Sequence, residues 1–490
     1  MFRHLLSLFV VAALPVVAQA APPRDALAGS KPNIVVFLCD DLGYGDLGCF
    51  GHPAIRTPNL DRLAADGVRL TSCYSAAPVC SSSRAGLMTG RTPSRSGIYD
   101  WIPPGHVMHL RRSEITIATL LKGAGYDTCH VGKWHLNGKF NDVAQPQPGD
   151  HGFDHWFSTQ NNAVPSHENP DNFVRNGREL GPLEGFACQL VTDEAIEWLD
   201  DRKTDKPFFL FVCFHEPHEP VASPPELVRS YLDAEGPQAR TEDEAQYFAN
   251  VTNMDLAVGR LLDTLRDRGL DGKTLVLFTS DNGPETLNRY RRANRCYGSP
   301  GPLRGMKLWL YDGGIRVPGI ARWPGVLEAG QVSDIPVSSL DLLPTFCELA
   351  GIEPPQDRPL DGTSLLPLLA GAPFERSQPL AWYYFNSLGG PKAAMRVGDH
   401  MVLGRRVAPD VATDHRRENV GPVTMPIIKQ ETLGRFELYD LSSDLGQQHD
   451  LAGKQPGLVE EYSTMLSIWH RAARDEGPTW KFEPPDPPAN

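Results

Sequence analysis

The stretch "NIVVFLCDDLGYGD" occupies residues 33–46, and its apolar run "NIVVFLC" stops at Asp40 and Asp41. A strand with one wet face alternates apolar and polar residues; a run that does not alternate is covered on both faces. The same texture returns in "YDTCHVG" (126–132), "KPFFLFVCF" (206–214) and "KTLVLFTSDNG" (273–283). Helical patterns lie between these runs. "TPNLDRLAADG" (57–67) predicts a short helix with Thr57 as N-cap, Pro58 at its first position and Gly67 as its stop. A second helix is expected over about 186–201. A third, over about 241–268, has apolar residues at Phe248, Val251, Met254, Leu261, Leu262 and Leu265. Covered strands alternating with helices predict an α/β fold, a large mixed and mostly parallel sheet sandwiched by helices.

Beyond about 375 the texture changes. "PLAWYYFN", "AAMRVGDHMVLG" and "RFELYDLSSDLGQQHDLA" read as short antiparallel strands, followed by a helix near 456–473. The expected division is a catalytic unit over 31–375 and a smaller α+β unit with an antiparallel sheet over 376–490, its tail "EPPDPPAN" loose. Residues 1–20 read as a secretory signal peptide: Arg3 and His4, an apolar run, then Ala18-Gln19-Ala20 as cleavage site. No other stretch is long and apolar enough to span a bilayer. The expectation is therefore an exported protein, periplasmic or secreted, with no stable membrane insertion after cleavage.

The chain has 490 residues and a net charge of −13, which argues against a nucleic-acid binder because such a protein needs a basic face. A local basic pocket for an anionic substrate is compatible with that charge. The nine cysteines include no C-x-x-C pair, so a zinc or thioredoxin-type site is not indicated. Nine is odd, so at least one thiol is left unpaired in an oxidising compartment.

The polar clusters share a position in the strand–helix pattern. Asp40-Asp41, Lys133 with His135, His215 with His218, and Asp281-Asn282 each follow the carboxyl end of an apolar run. In an open α/β sheet that edge carries the ligand site, so four segments converge on one place. Three carboxylates and an amide suit a hard divalent cation, Ca²⁺ ahead of Mg²⁺; taken singly, "DD" and "DNG" are equally turn residues. Lys133 and Lys307 would clamp an anion beside that metal, although a lone lysine is ordinarily solvated surface. The histidines of "FHEPHEP" are candidate general acids or structural histidines.

Cys80 opens "CSSSRAGLMTG" (80–90), which reads as a short helix closed by Gly90. A helix N-terminus favours an anion and lowers a thiol pKa, so a thiolate nucleophile is one reading. A soft sulfur is poor company for oxygen ligands, so an oxygen at this position makes better sense.

Six blocks in order carry a resemblance: "PNIVVFLCDDLGYGDLGCFG" (32–51), "CSSSRAGLMTGR", "GKWHLNG", "FHEPHEP", "TSDNGPE" and "LRGMKLWLYDGGIRVPGIARWPG". Together they resemble the formylglycine-dependent sulfatases of the alkaline-phosphatase superfamily, clearly over about 32–330 and again at "LYDLSSDLGQQHDLA" (438–452). The resemblance implies that a maturation enzyme oxidises Cys80 to formylglycine, whose hydrate is both nucleophile and metal ligand. It implies Asp40, Asp41, Asp281 and Asn282 as the other Ca²⁺ ligands and Arg84 as the group steadying the diol. Lys133 and Lys307 would hold sulfate oxygens, His135 would assist sulfate elimination, and His218 would protonate the departing alcohol. The family's C-x-P-S-R or C-x-A-S-R pattern has Ser82 at its third position here, which bears on recognition by the maturation enzyme. Conversion of Cys80 would leave eight cysteines.

Two other readings remain: a phosphomonoester or phosphonate-ester hydrolase on the same scaffold, and a non-catalytic calcium and sulfated-glycan binding protein. The expected substrate is a sulfated carbohydrate. The loops 95–112 and 157–173 supply candidate contacts: Arg95, Trp101, His106, Asn161, Asn162 and His167, together with His215. Each could equally be an ordinary surface-loop residue.

Overall fold

The computed structural model describes residues 23–233, 238–407 and 418–482. The expected signal peptide and the tail from 483 lie outside the described residues. Eleven strands form the large sheet: β1 (Asn33–Asp40), β2 (Val68–Tyr74), β3 (Asp127–Lys133), β4 (His155–Thr159), β5 (Val174–Arg175), β6 (Arg178–Glu179), β7 (Phe208–Pro217), β8 (Thr274–Ser280), β9 (Arg316–Arg322), β10 (Gln331–Ser333) and β11 (Val337–Ser338). Their order is β10-β2-β9-β8-β1-β7-β3-β4-β5-β6, with β11 beside β2. The central β8-β1-β7-β3-β4 block is parallel, and β9 runs antiparallel to both its neighbours. The mixed, mostly parallel sheet is as expected.

β1 shows why its sequence does not alternate. Ile34, Val36 and Leu38 point into one core, which includes the Leu342–Ala350 helix. Val35, Phe37 and Cys39 point into the other, formed with the Ala187–Asp201 and Glu242–Asp267 helices. Each fully buried Leu, Ile or Phe contributes about 1.5–3 kcal/mol, so both faces of the strand stabilise the fold.

The helix at Pro58–Ala65 forms as expected, but Thr57 makes no side-chain cap bond. Its hydroxyl instead accepts from the Gly48 N–H and donates to Asp61. The free N–H groups of Asn59 and Leu60 are taken by Asp255 of the Glu242–Asp267 helix, at 3.2 and 2.8 Å. A carboxylate brought by tertiary packing replaces the local cap.

A four-stranded antiparallel sheet follows: β12 (Leu380–Tyr383), β13 (Pro391–Val397), β14 (His400–Val407) and β15 (Thr432–Asp440). One face packs on the Pro456–Glu476 helix through Ala381, Tyr383, Met395 and Leu466. The other, through Leu380, Trp382, Tyr384 and Met401, packs against Tyr74, Val79 and Cys80.

The chain's end straps back over the 91–111 segment. Glu476 pairs with Arg91 and Arg95, the Tyr99 hydroxyl donates to the Pro478 carbonyl at 2.7 Å, and the Trp480 indole N–H donates to Gly97 at 2.7 Å. All nine cysteines are unpaired thiols, so the odd count carries no pairing information.

Candidate active site

β8, β1, β7 and β3 lie side by side in the sheet, and their carboxyl ends deliver Asp281-Asn282, Asp40-Asp41, His215-His218 and Lys133-His135. Two glycines permit the approach. A Cβ on Gly132 would meet the Cys213 carbonyl at 1.8 Å, which keeps β3 close to β7 just before Lys133. A Cβ on Gly283 would meet the Gly313 carbonyl at 1.9 Å, in the short Asp312–Ile315 helix; beside it the Lys307 backbone N–H donates to the Pro284 carbonyl. Cys80 and Arg84 come from the Cys80–Thr89 helix, which is closed by a left-handed Gly90.

The charges interlock. Lys133 Nζ lies 2.6 Å from Asp40 Oδ2, and Lys307 Nζ lies 2.7 Å from Asp41 Oδ2. Arg84 Nε donates to Asp281 Oδ2 at 2.9 Å, and its Nη1 donates to the Lys133 carbonyl. Asn282 Nδ2 donates to Asp41 Oδ1 at 2.7 Å. Three carboxylates thus face three cations, all buried.

These residues fit a divalent cation. Asp40 Oδ1 and Asn282 Oδ1 are buried and have no hydrogen-bond partner among the described residues. Oxygens left bare in a protein interior call for a partner. Burial, and then the neighbouring Asp40, push Asp281 up to about 7, and burial pushes Asp41 up to about 6. A cation among the carboxylates removes that penalty. Burial also works to raise Asp40, but Lys133, His218 and Arg84 hold it well below the usual carboxylate range. Carboxylate oxygens of Asp40 and Asp41 and a ring nitrogen of His218 lie within 4.8 Å of one another. A hard cation prefers the oxygens.

The two nearest histidines differ. His135 Nε2 donates to the Ile102 carbonyl at 3.1 Å, and its buried Nδ1 has no partner. Burial, then Lys133 and Arg84, hold its pKa well below the usual histidine value, so Nδ1 presents a lone pair. His218 Nδ1 donates to the Glu219 carbonyl at 2.7 Å, which leaves Nε2 3.5 Å from Asp41 Oδ2. Burial lowers the His218 pKa and the Glu219 carboxylate opposes that. Burial pushes the Cys80 thiol up to about 11, against Lys133 and Lys307. Desolvation thus works against a thiolate at Cys80.

The remaining candidates divide. Asn161 Oδ1, Asn162 Oδ1 and His215 Nδ1 are buried without partners, and Trp101 is 39% exposed. His215 Nε2 shares a hydrogen bond with Thr159. Two candidates are corrected. Arg95 is held by Asp361 and Glu476, so its guanidinium serves the strap. His106 spends both ring nitrogens on backbone, at Val420 and Met108. His167 is fully buried, its Nδ1 accepting from Asn250 and its Nε2 without a partner among the described residues.

Sequence reading missed Glu219, 3.1 Å from His218 Nδ1, and Glu285, 4.0 Å from Lys307 Nζ. Both stand inside quoted blocks, next to a histidine and a metal-type loop, and that adjacency was the available signal. Asp100, which accepts from Tyr384 and Asn386 across nearly three hundred residues, left no local signal.

The family model described as Sulfatase matches residues 32–352. The chain is 37% identical over 410 residues to N-acetylgalactosamine-6-sulfatase of Sus scrofa, covering 79% of this chain and 73% of that one. It is 35% identical over 468 residues to human arylsulfatase A, covering 88% and 85%. Among solved structures, Ps i-CgsB in complex with k-i-k-neocarrahexaose superposes with a TM-score of 0.75 at 26% identity, covering 90% of this chain and 93% of that one. The chain belongs to the sulfatase family. It is a sulfuric ester hydrolase with the alkaline-phosphatase-like fold.

Proposed function

We propose that this enzyme removes sulfate from a sulfated carbohydrate, using formylglycine made from Cys80 and a bound Ca²⁺. The carrying observation is the buried set of three carboxylates and three cations around Cys80, with bare oxygens on Asp40 and Asn282. Asp40, Asp41, Asp281, Asn282 and the oxidised Cys80 would hold the cation. When present, Ca²⁺ neutralises anionic charge and the formylglycine hydrate supplies an oxygen nucleophile.

The chain's own residues do the rest. Each ammonium has three donors, so Lys133 and Lys307 bond their carboxylates and still offer N–H groups to sulfate oxygens. Such donors act most strongly where water is excluded. Arg84, locked to Asp281, steadies the residue-80 oxygen. His135, neutral and bare at Nδ1, accepts a proton as sulfate departs. His218, oriented through Nδ1 by Glu219, would donate a proton from Nε2 to the leaving alcohol in its doubly protonated form, which the Glu219 carboxylate favours against burial. Asn161, Asn162, His215 and Trp101 would contact the sugar. The carbohydrate assignment draws on the named amino-sugar sulfatase and the carrageenan-type oligosaccharide complex among the similar proteins. Secretion or periplasmic export would bring the enzyme to its substrate.

The test has two parts. The tryptic peptide Leu70–Arg84 of active enzyme should carry an aldehyde in place of the Cys80 thiol. Sulfate release should exceed phosphate release from matched esters, and sulfated saccharides should outperform aryl sulfates. Full activity with only free thiol at residue 80 would overturn the nucleophile; activity confined to aryl sulfates would overturn the substrate.

A further inference from the structure

We infer that the loop 286–295 forms an outer anion subsite, in which Arg291 and Arg292 bind a second acidic group of the substrate. This rests on the sulfatase reading and concerns what lies beyond the sulfate that is cleaved.

The loop begins where β8 delivers Asp281 and Asn282, and it is tied to the site at two points. Arg289 forms two bonds to Glu285, at 2.7 and 2.6 Å, and Glu285 lies 4.0 Å from the Lys307 ammonium. Tyr290 is half-buried near Glu219, and Glu219 lies 3.1 Å from His218 Nδ1. The far end is tied as well. Arg295 pairs with Asp243 at 2.8 Å and donates to the Val221 carbonyl, while Ala293 is fully buried. The two arginines between these anchors are exposed and have no ion-pair partner among the described residues. Their neighbours Arg289 and Arg295 are each matched by a carboxylate.

The chain's net charge is −13, so these two arginines are a local excess of positive charge in an acidic protein. An exposed arginine far from a site is ordinarily solvated surface. Here Glu285, which holds Arg289, lies 4.0 Å from the Lys307 ammonium, so the segment carrying the uncompensated charge starts beside the catalytic groups. A planar guanidinium matches sulfate and carboxylate geometry bidentately. The ligand chemistry is therefore an oligosaccharide carrying a further sulfate or uronate beyond the scissile ester. Such a field also raises the local concentration of anionic substrate.

The test compares two ligands on the Arg291→Ala/Arg292→Ala variant and the wild type, by titration calorimetry. Inorganic sulfate reports the inner pocket alone; a heparin hexasaccharide also reaches the rim. The variant should bind the hexasaccharide about 3- to 10-fold more weakly, as expected for two exposed ion pairs. The loss should vanish at about 0.5 M salt, where screening is nearly complete. Sulfate affinity should change by a smaller factor. Unchanged hexasaccharide affinity, or equal weakening of both ligands, would overturn the subsite. Sulfate release from esters is measured separately, so failure of the sulfatase reading shows there and leaves the binding comparison decisive for the arginines.

Discussion

Lys133→Met separates the structural and the catalytic work of one buried ammonium. Lys133 and Asp40 are both fully buried and 2.6 Å apart. Methionine fills much of the same volume with no charge. Removing one partner of a buried pair leaves the other stranded, which costs about 3–5 kcal/mol. Arg84 Nη2, 3.8 Å from Asp40 Oδ1, recovers a fraction of this. A cation on Asp40 recovers more, so urea unfolding should show the full loss in chelator and a smaller one in excess Ca²⁺. Turnover should behave differently. Losing one donor to the sulfate oxygens should cost about 10²–10³ in kcat, and Ca²⁺ should not restore it, because a cation held by the carboxylates would supply no N–H donor. The assay is sulfate release by the folded, Ca²⁺-saturated variant. A kcat within about tenfold of wild type would refute the reasoning, and Lys133 would then be only a counter-ion for Asp40.

Cys80→Ser should abolish sulfate release while unfolding stability stays within about 1 kcal/mol of wild type; loss of folded protein would point to a packing role. Chelation should lower the thermal midpoint, since a ligand at a hundred times its Kd adds about 2.7 kcal/mol, and Ca²⁺ should restore it better than Mg²⁺. Burial raises the Asp46 carboxyl to about 7 in the native state. The native form therefore holds a proton that the unfolded chain has lost above about pH 4, and stability falls as pH rises from there to about 7. Asp46→Asn should flatten that slope by about 1.4 kcal/mol per pH unit in urea titrations, and parallel wild-type and variant slopes would contradict it. Trp480→Ala should cost about 1–2 kcal/mol and raise KM more than it lowers kcat, because the strap positions the segment carrying Trp101.

The fold was legible because the two-sided burial of β1, β7 and β8 writes itself as unbroken apolar runs. The site was legible for a related reason: its polar residues interrupt those runs at the same end of each strand. Thr57 shows the limit. A local cap signal was present, but Asp255, almost two hundred residues away, took the helix N-terminus. Arg95 and His106 show the same limit in the loops. Their residue types suit a sugar, yet Glu476 and Val420 claim them through contacts that no short window contains. For Cys80 the helix position alone allowed a thiolate, and the oxygen ligands around it favoured an oxygen instead; the desolvation that raises the thiol depends on the elements that cover it.

That covering has a consequence for the order of events during synthesis. Cys80 shares its apolar cluster with Leu310, Tyr311, Leu380, Trp382, Leu403 and Tyr439. A chain that emerges N-terminus first presents residue 80 long before any of these exists. The thiol that is sealed in the finished molecule stays reachable while some three hundred and sixty residues are still being made, Tyr439 coming 359 positions after it. An enzyme that modified Cys80 would therefore have a deadline, set by the arrival of the last strands rather than by a lid.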